Sequence, residues 1–174
     1  ELYTLYPITD LTTHPVVLHD FYKGKVREGD FAAALPRCSM PVCYNGDLIT
    51  ERDVSAVSER YPDLPAVMIG RALIADPSLV ARMTGGKAAD AKTLAPFHAT
   101  LFMRYCEAFG DSRIAMLRMK EIWFYHLNLF ENSEKPGKAI KKAKNAAEFQ
   151  SAAAAVFRNC RVRANAVPLW FKPA

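Results

Sequence analysis

The stretch "MPVCYNGDLITERDVSAVSERYPDLPAVMIGR", residues 40–71, determines the fold class. Its first six residues form an apolar run typical of a buried strand, and this run ends at "NGD", 45–47. Thr50 then predicts the N-cap of a helix over 51–61, and the apolar run over 65–71 predicts another strand. A strand, a helix and a second strand in succession are typical of a parallel β-α-β unit.

The same alternation extends in both directions along the chain. Residues 8–14 predict an earlier strand, followed by a polar loop over 19–25 and a short helix near 28–38. After the last strand, "ADPSLVARM", 75–83, predicts a helix with Asp76 as its cap. Three β-α units in a row predict an α/β fold in which helices pack over a parallel sheet.

Beyond Gly85 and Gly86 the pattern is helical only, because apolar residues recur at intervals of three and four. We therefore predict two parts, a β-α part over 1–86 and a helical bundle over 87–174 with an irregular tail from 167. The predicted helices of the bundle cover 91–108, 112–130, 135–143 and 146–159.

The composition of the 174 residues, of which 51% are hydrophobic, fits one ordinary domain or one domain with an appendage. No window approaches the roughly 18 uncharged apolar residues of a membrane span, and the first ten residues lack the layout of a signal peptide. We predict a cytoplasmic protein. Its four widely spaced cysteines are interpreted as reduced thiols, and no residues have the spacing of a metal site.

Charge is unevenly distributed along the chain. Residues 113–174 contain 12 Lys and Arg against 4 Asp and Glu, a net of +8, whereas residues 1–112 contain 11 against 14, a net of −3. A basic surface of this kind suits a polyanion such as RNA, which proteins bind largely through phosphate contacts. A solvated helix surface explains the same charge equally well.

Polar residues and glycines follow each predicted strand, where ligands bind in parallel β-α sheets. Glycine would let the backbone approach a ligand, and Arg71 could bind two phosphate oxygens at once. Either motif alone is better explained as a turn or a helix start, but the two in tandem favour a phosphate site. The residues concerned are His14 after the first strand, Asn45, Gly46 and Asp47 after the second, and Gly70 and Arg71 after the third.

Histidine chemistry is less informative. His14 could hydrogen-bond a cofactor or serve a structural role. His19, His98 and His126 have no partners at ligand or triad spacing, so no catalytic constellation is assigned to them.

Four stretches together resemble the C-terminal half of a tRNA-dihydrouridine synthase. They are "LTTHPVVLHDFYKG" (11–24), "MPVCYNGDLIT" (40–50), "AVMIGRALIADPSL" (66–79) and "RMKEIWFY" (118–125). The resemblance implies the last three β-α units of a (β/α)8 TIM barrel, followed by a helical domain that helps to bind tRNA. It also implies an FMN cofactor, reduced by NADPH, that converts uridine in tRNA to 5,6-dihydrouridine.

The resemblance also assigns roles to residues. His14 would contact the flavin, while the FMN phosphate and ribityl chain would be held by Asn45, Gly46, Asp47, Gly70 and Arg71. The helical domain would face tRNA with Arg113, Arg118 and Lys120.

The chain departs from this family's pattern in two ways. Val16 stands where the family usually has Arg, and the chain begins at what would be the end of the fifth barrel helix. The flavin-ring contacts and the catalytic cysteine would then lie outside this chain, so no catalytic residue is predicted in it. The open sheet edge would need the missing barrel half or a second chain as a partner.

Two alternatives follow. The chain could be a non-catalytic RNA-binding module, or truncated remnant, that uses the basic helices between residues 113 and 163. It could also belong to another phosphate-binding barrel enzyme, although such enzymes usually lack a basic helical domain.

Overall fold

The computed structural model describes residues 5–17, 25–167 and 169. His19, nearly all of the predicted loop over 19–25 and most of the predicted tail therefore lie outside the described residues. The chain forms two compact units that divide between Gly70 and Arg71. The domain boundary predicted after residue 86 stays a prediction. In the structure, residues 71–83 belong to the second compact unit.

The first unit contains a three-stranded parallel sheet with the strand order β1-β2-β3. Leu11 pairs with Val42, and Tyr44 pairs with Val67. The parallel β-α arrangement is thus as predicted, within a mixed α/β fold, and the assignment of these three units to a partial (β/α)8 TIM barrel stays a prediction. The strands are β1 (Leu11–Thr13), β2 (Val42–Tyr44) and β3 (Ala66–Val67), and the helices between them are α1 (Glu28–Ala34) and α2 (Glu51–Arg60).

The three strands are shorter than predicted. The sequence predicted strands over 8–14, 40–45 and 65–71. Among the described residues, β1 and β3 each form hydrogen bonds with β2 and with no other strand. The strand assignment is therefore limited to the residues that pair with β2. Hydrogen bonding continues one residue further at the carboxyl ends. The Asn45 amide donates to Thr13 O at 2.9 Å and the Met68 amide donates to Tyr44 O at 2.8 Å.

The helix layer of this unit packs on Phe31 of α1, which is buried. Its ring meets Tyr44 edge-on at 4.9 Å and Tyr61 at 5.2 Å between centroids. Helix α2 begins at Thr50, as predicted. The Thr50 hydroxyl accepts a hydrogen bond from the Asp53 amide, and the Asp53 carboxylate accepts one from the Thr50 amide at 2.7 Å, which completes a capping box.

Replacing Asp53 by Ala is expected to lower the free energy of unfolding by about 1 kcal/mol. The Asp53 carboxylate also accepts from the Ile49 amide at 3.1 Å, so its loss leaves two backbone donors without this acceptor. Urea denaturation measures the change. Arg52→Ala, on the exposed side of the same turn, is the matched control and should shift stability by less than about 0.5 kcal/mol. An equal loss in both variants would contradict the role of the cap.

The second unit is helical, and the four long helices predicted for the bundle are confirmed within a few residues. Its core consists of large side chains that are almost fully buried, among them Trp123, Phe149, Leu94 and Met119. The helices are α3 (Arg71–Ala75), α4 (Leu79–Met83), α5 (Ala91–Phe109), α6 (Ser112–His126), α7 (Glu134–Lys142) and α8 (Ala146–Asn159), and α6 continues into a 3-10 turn over Leu127–Leu129.

Two local predictions were wrong in this region. The predicted strand over 65–71 ends at Val67, and Arg71 instead begins α3. The predicted cap at Asp76 is not one, since Ser78 occupies the N-cap position of α4. A turn at 76–78 separates two short helices, and within it Asp76 accepts hydrogen bonds from the Ser78 amide and hydroxyl and pairs with Arg82 at 2.5 Å.

In the part of the chain that the structure describes, none of the helices is long and apolar enough to cross a membrane. The same residues contain no cluster of three or more His, Cys, Asp or Glu side chains that could hold a metal ion.

Candidate functional site

The carboxyl ends of β1 and β2 bring two of the predicted site residues together. His14 follows β1 directly, and its Nδ1 lies 2.5 Å from the backbone oxygen of Asn45, which follows β2. The ring N–H donates to this carbonyl, so in the neutral ring Nε2 is an acceptor. The Asn45 side-chain amide in turn contacts Met68 Sδ at 3.4 Å, just beyond β3. The three strand ends are therefore connected by side chains that follow the strands in the sequence.

The chain bends at Gly46, just beyond β2, before it continues through Asp47. A Cβ at Gly46 would lie 2.6 Å from the Tyr44 hydroxyl oxygen, so glycine is needed because this side chain approaches closely. Asp47 has φ +42°, which is in the left-handed region. Burial, followed by the neighbouring Tyr61 and Asp47, raises the pKa of Tyr44 above its ordinary value. The close approach of Tyr44 therefore gives a structural reason for the glycine at position 46.

A groove of about 270 Å³ lies beside this bend and includes Gly46 and Asp47 in its lining. It also contains two cations that the sequence analysis did not identify, Lys25 and Arg60. Arg60 is paired with Glu28. No motif marks Lys25, because its place in the groove depends on how the segment before α1 packs against α2.

Gly70 and Arg71, which follow β3, differ from Gly46 and Asp47 in their surroundings. A Cβ at Gly70 would meet no atom within 4 Å, so nothing in the described chain requires glycine at this position. Arg71 is the first residue of the five-residue helix α3, which is the helix start that the sequence left open as an alternative. Open space at Gly70 leaves room for a ligand to approach the backbone.

The three predicted RNA-facing residues lie on α6 but do not form one surface. Arg113 and Arg118 are exposed, and Arg118 pairs with Glu121 at 3.1 Å. Arg118 is turned about 140° around the helix from Arg113. The Lys120 ammonium donates to Ala143 O at 2.5 Å and to Lys141 O at 3.2 Å, so it stabilises the C-terminal end of α7.

A stronger basic feature lies on α7 and just beyond it, and we call it the α7 lysines. All five are exposed, and the spacing of the first, second and fourth puts these three on one face. The opposite face is buried through Gly137 and Ile140. The charge count located the basic part of the chain but could not say which helix displays it. The α7 lysines are Lys135, Lys138, Lys141, Lys142 and Lys144.

Two histidines that were assigned no role form the centre of the helical unit. The rings of His98 and His126 lie 4.4 Å apart between centroids, and both contact Trp123. His126 Nδ1 donates to Ala75 O at 3.0 Å. Burial lowers the pKa of His98 to about 3, with a smaller effect of His126, and burial lowers the pKa of His126 to about 4 against the opposing effects of the Ala75 carbonyl and Asp76. Both rings are therefore neutral at pH 7.

The four cysteines are free thiols, as predicted. Cys160 is buried, and burial, followed by Glu134, raises the pKa of its thiol, which makes it a poor nucleophile. The other three, Cys38, Cys43 and Cys106, are half-buried.

Comparison with known protein families gives a match to the dihydrouridine synthase (Dus) model over residues 12–166. This range includes the strand ends and the basic helices. The chain belongs to the dihydrouridine synthase family. No curated protein matches the chain.

Membership of the dihydrouridine synthase family confirms the resemblance and assigns the chain a dihydrouridine-synthase type of function in general, that of an oxidoreductase in tRNA processing. It favours this function over that of an unrelated phosphate-binding barrel enzyme.

Proposed function

We propose that this chain is the C-terminal portion of an FMN-dependent, NADPH-linked tRNA-dihydrouridine synthase. The family match over residues 12–166 carries the proposal, because it takes in both the strand ends and the basic helices. We place the enzyme in the cytoplasm, where its tRNA substrate is processed. The free sides of β1 and β3 would be covered by further barrel strands or by a second chain, since unpaired strand edges seek partners.

The phosphate end of FMN is proposed to bind at the strand ends. Asn45, Gly46, Asp47 and Gly70 would hold the phosphate and the ribityl chain, together with Arg71, the next residue along the chain, and His14 would contact the flavin. The open space at Gly70 fits this role, whereas Gly46 already has Tyr44 against it on one side. The acceptor at His14 Nε2 suits a donor, such as an N–H group of the flavin or a ribityl hydroxyl, and not a phosphate oxygen. Lys25 lines the same groove as Gly46 and is a cation that could contact a phosphate, while the carboxylates of Glu28, Asp47 and Asp53 in that lining would oppose a phosphate.

The residues of this chain would position the cofactor and the RNA. When bound and reduced by NADPH, FMN would supply a hydride to the C5–C6 bond of uridine, and an acid outside this chain would supply the proton that completes the reduction. The bond between His14 and Asn45 O fixes the orientation of the imidazole ring, so that Nε2 has a defined direction toward a bound group. The basic helices would bind tRNA phosphates and orient the substrate.

Binding of FMN tests the cofactor site. The chain is titrated with FMN, and flavin fluorescence is measured for the wild type, His14→Ala and Asn45→Ala. We expect both variants to weaken FMN binding by about tenfold, because each removes a polar contact. Thr12→Ala, exposed on β1 and away from the strand end, is the control and should bind like the wild type.

The activity is tested in cells that lack their own dihydrouridine synthases. The full reading frame that contains this chain is expressed there, and the dihydrouridine content of tRNA is measured. Restored dihydrouridine supports the enzyme. If FMN does not bind and dihydrouridine does not return, the proposed function is wrong.

A second candidate function, a non-catalytic RNA-binding module, is favoured by the α7 lysines. Three of them, Lys135, Lys138 and Lys142, share one exposed face of α7, which suits the phosphate backbone of RNA. Changing these three to Ala should weaken tRNA binding by tenfold or more at low salt. The slope of log K against log salt should fall by about 0.7–0.9 for each phosphate that the variant no longer binds.

The control for the lysine variant is the double variant Lys87→Ala, Lys92→Ala, at exposed positions before and at the start of α5. It should bind tRNA like the wild type. Equal losses in both variants would show that binding depends on net charge rather than on the face of α7. Activity in the complementation assay would decide between the enzyme and the non-catalytic module.

A further inference from the structure

Arg71 differs from the other residues proposed for the FMN phosphate, because it belongs to the second, helical unit, whereas they belong to the first. It is the first residue of α3, a helix of five residues. A helix of this length is not stable by itself, so the position of Arg71 depends on what α3 packs against. The contacts that hold α3 therefore determine where the guanidinium group can lie.

Helix α3 packs against α6 with a buried face of small side chains. Ala72 is 3% exposed and Ala75 is fully buried. The carbonyl of Ala75, at the last residue of α3, accepts a hydrogen bond from His126 Nδ1 at 3.0 Å. This carbonyl is one of those that a helix end leaves without an intrahelical partner, so His126 supplies the donor that it needs.

His126 is a rigid donor. Its side chain is fully buried, and its ring lies 5.3 Å from that of Trp123 and 5.2 Å from that of Phe130 between centroids. Packed on these two rings, the imidazole cannot follow α3 if the helix shifts. The hydrogen bond to Ala75 O therefore fixes the end of α3 against the core of the helical unit.

The turn after α3 is fixed to the same unit by a buried ion pair. The Asp76 carboxylate pairs with Arg82 of α4 at 2.5 Å and accepts from the Ser78 hydroxyl at 2.7 Å. Arg82 also donates to Asn165 Oδ1 at 2.9 Å. Breaking such a buried pair is costly, so this turn has little freedom to move.

The hydrogen bond from His126 acts close to Arg71. Ala75 follows Arg71 by four residues, which is about 6 Å along a helix axis and on the same face. A displacement of α3 at Ala75 would therefore move Arg71 with it. A guanidinium that binds two phosphate oxygens must be placed to within about 0.5 Å, so its support matters for affinity.

We propose that His126 is a positioning residue for the cofactor, because its hydrogen bond to Ala75 O fixes α3 and so places Arg71 for the FMN phosphate. The inference rests on the proposed function, which takes the FMN phosphate as the ligand of Arg71. It gives a part in cofactor binding to a histidine to which the sequence assigned no role.

The test compares the affinities for FMN and for riboflavin, which lacks the phosphate, in the protein encoded by the full reading frame that contains this chain. Flavin fluorescence is the measurement. Arg71→Ala should weaken FMN binding by about tenfold or more. His126→Phe, which has no donor, should weaken it by about threefold to tenfold, within the range of coupling between residues of one network. Neither change should alter the affinity for riboflavin.

A double variant distinguishes positioning from a general loss of structure. If His126 acts through Arg71, adding His126→Phe to Arg71→Ala should cause no further loss of FMN affinity. His126→Asn, which keeps an N–H donor on a short side chain, should recover part of the affinity that His126→Phe loses. Should His126→Phe fail to fold, His126→Leu, which also lacks a donor, takes its place with the same expectations.

Phe149→Leu is the matched control for a core substitution. Phe149 is also buried in the helical unit, but it lies on α8, where its ring packs against Phe102. This variant should be less stable than the wild type and bind FMN equally well. Urea denaturation of each variant gives the fraction that is folded under the conditions of the titration.

The outcomes separate the inference from the proposed function. If His126→Phe binds FMN like the wild type, or weakens riboflavin binding to the same extent, the inference is overturned while the cofactor site stands. If Arg71→Ala binds FMN like the wild type, the phosphate contact at Arg71 is wrong and the role of His126 fails with it. A wild-type protein that binds no FMN would contradict both.

Discussion

Lowering the pH from 7 to 5 is expected to reduce the free energy of unfolding of the helical unit by about 2 kcal/mol for each of two histidines. His98 and His126 are buried side by side at 4.4 Å, and their folded pKa values are about 3 and about 4. In the unfolded chain both pKa values return to about 6.5. This is the largest effect that we predict.

The direction follows from the proton balance. Below pH 6.5 the unfolded chain takes up protons that the folded chain does not bind, so acid favours unfolding. The contribution of the histidines is complete above pH 6.5 and is lost progressively as the pH falls toward 4 for His126 and toward 3 for His98. Asp76 moderates the effect at His126, because its charge raises the pKa of that ring.

The effect can be measured by urea denaturation at several pH values, followed by Trp123 fluorescence in the Trp170→Phe variant. His98→Phe should remove about half of the pH dependence and keep stability at pH 7, since neither nitrogen of His98 has a partner among the described residues. His126→Phe should also lower stability at pH 7 by about 1–3 kcal/mol, because Ala75 O loses its donor. An unchanged pH dependence in His98→Phe would contradict the prediction.

Replacement by alanine should destabilise the protein at Gly46 but have little effect on its stability at Gly70. Gly46→Ala is expected to cost about 1–3 kcal/mol of stability, because the added Cβ would lie 2.6 Å from the Tyr44 hydroxyl oxygen and 2.8 Å from Cζ. The Tyr44 ring packs against Phe31 at 4.9 Å and cannot move away freely. Gly70→Ala meets open space, so its stability should change by less than about 0.5 kcal/mol.

The affinity for FMN gives a second test at Gly70. If the cofactor approaches the backbone at Gly70, Gly70→Ala should weaken FMN binding by tenfold or more in a variant that is as stable as the wild type. Urea denaturation and flavin titration of the same samples give both quantities. Combining Gly46→Ala with Tyr44→Phe should restore part of the stability, because one of the two close contacts is removed. Normal FMN affinity in Gly70→Ala would exclude a close backbone contact there.

Local signals in the sequence predicted most of the secondary structure. Thr50 was recognised as a cap because a hydroxyl before an acidic turn satisfies backbone donors within four residues. The bundle helices were recognised because their apolar faces repeat over many residues. Asp76 was assigned wrongly as a cap, since a turn and a helix start have the same composition over so short a stretch.

The sequence alone determined the alternation of strands and helices, the basic C-terminal third and the family. These features depend on residue order and composition, which need no knowledge of distant contacts. It also identified His14 and Asn45 as strand-end residues, but only the tertiary structure decided that they touch across 31 positions.

Tertiary structure likewise decided which polar groups have partners. Lys120 was predicted to face RNA but donates to two carbonyls at the end of α7, while the α7 lysines are exposed. His98 and His126, to which the sequence assigned no role, lie side by side in the core of the helical unit and are predicted to make it sensitive to acid. The physical reason is the same in each case: hydrogen bonding and burial depend on which helices pack together, and that packing brings together residues far apart in the chain.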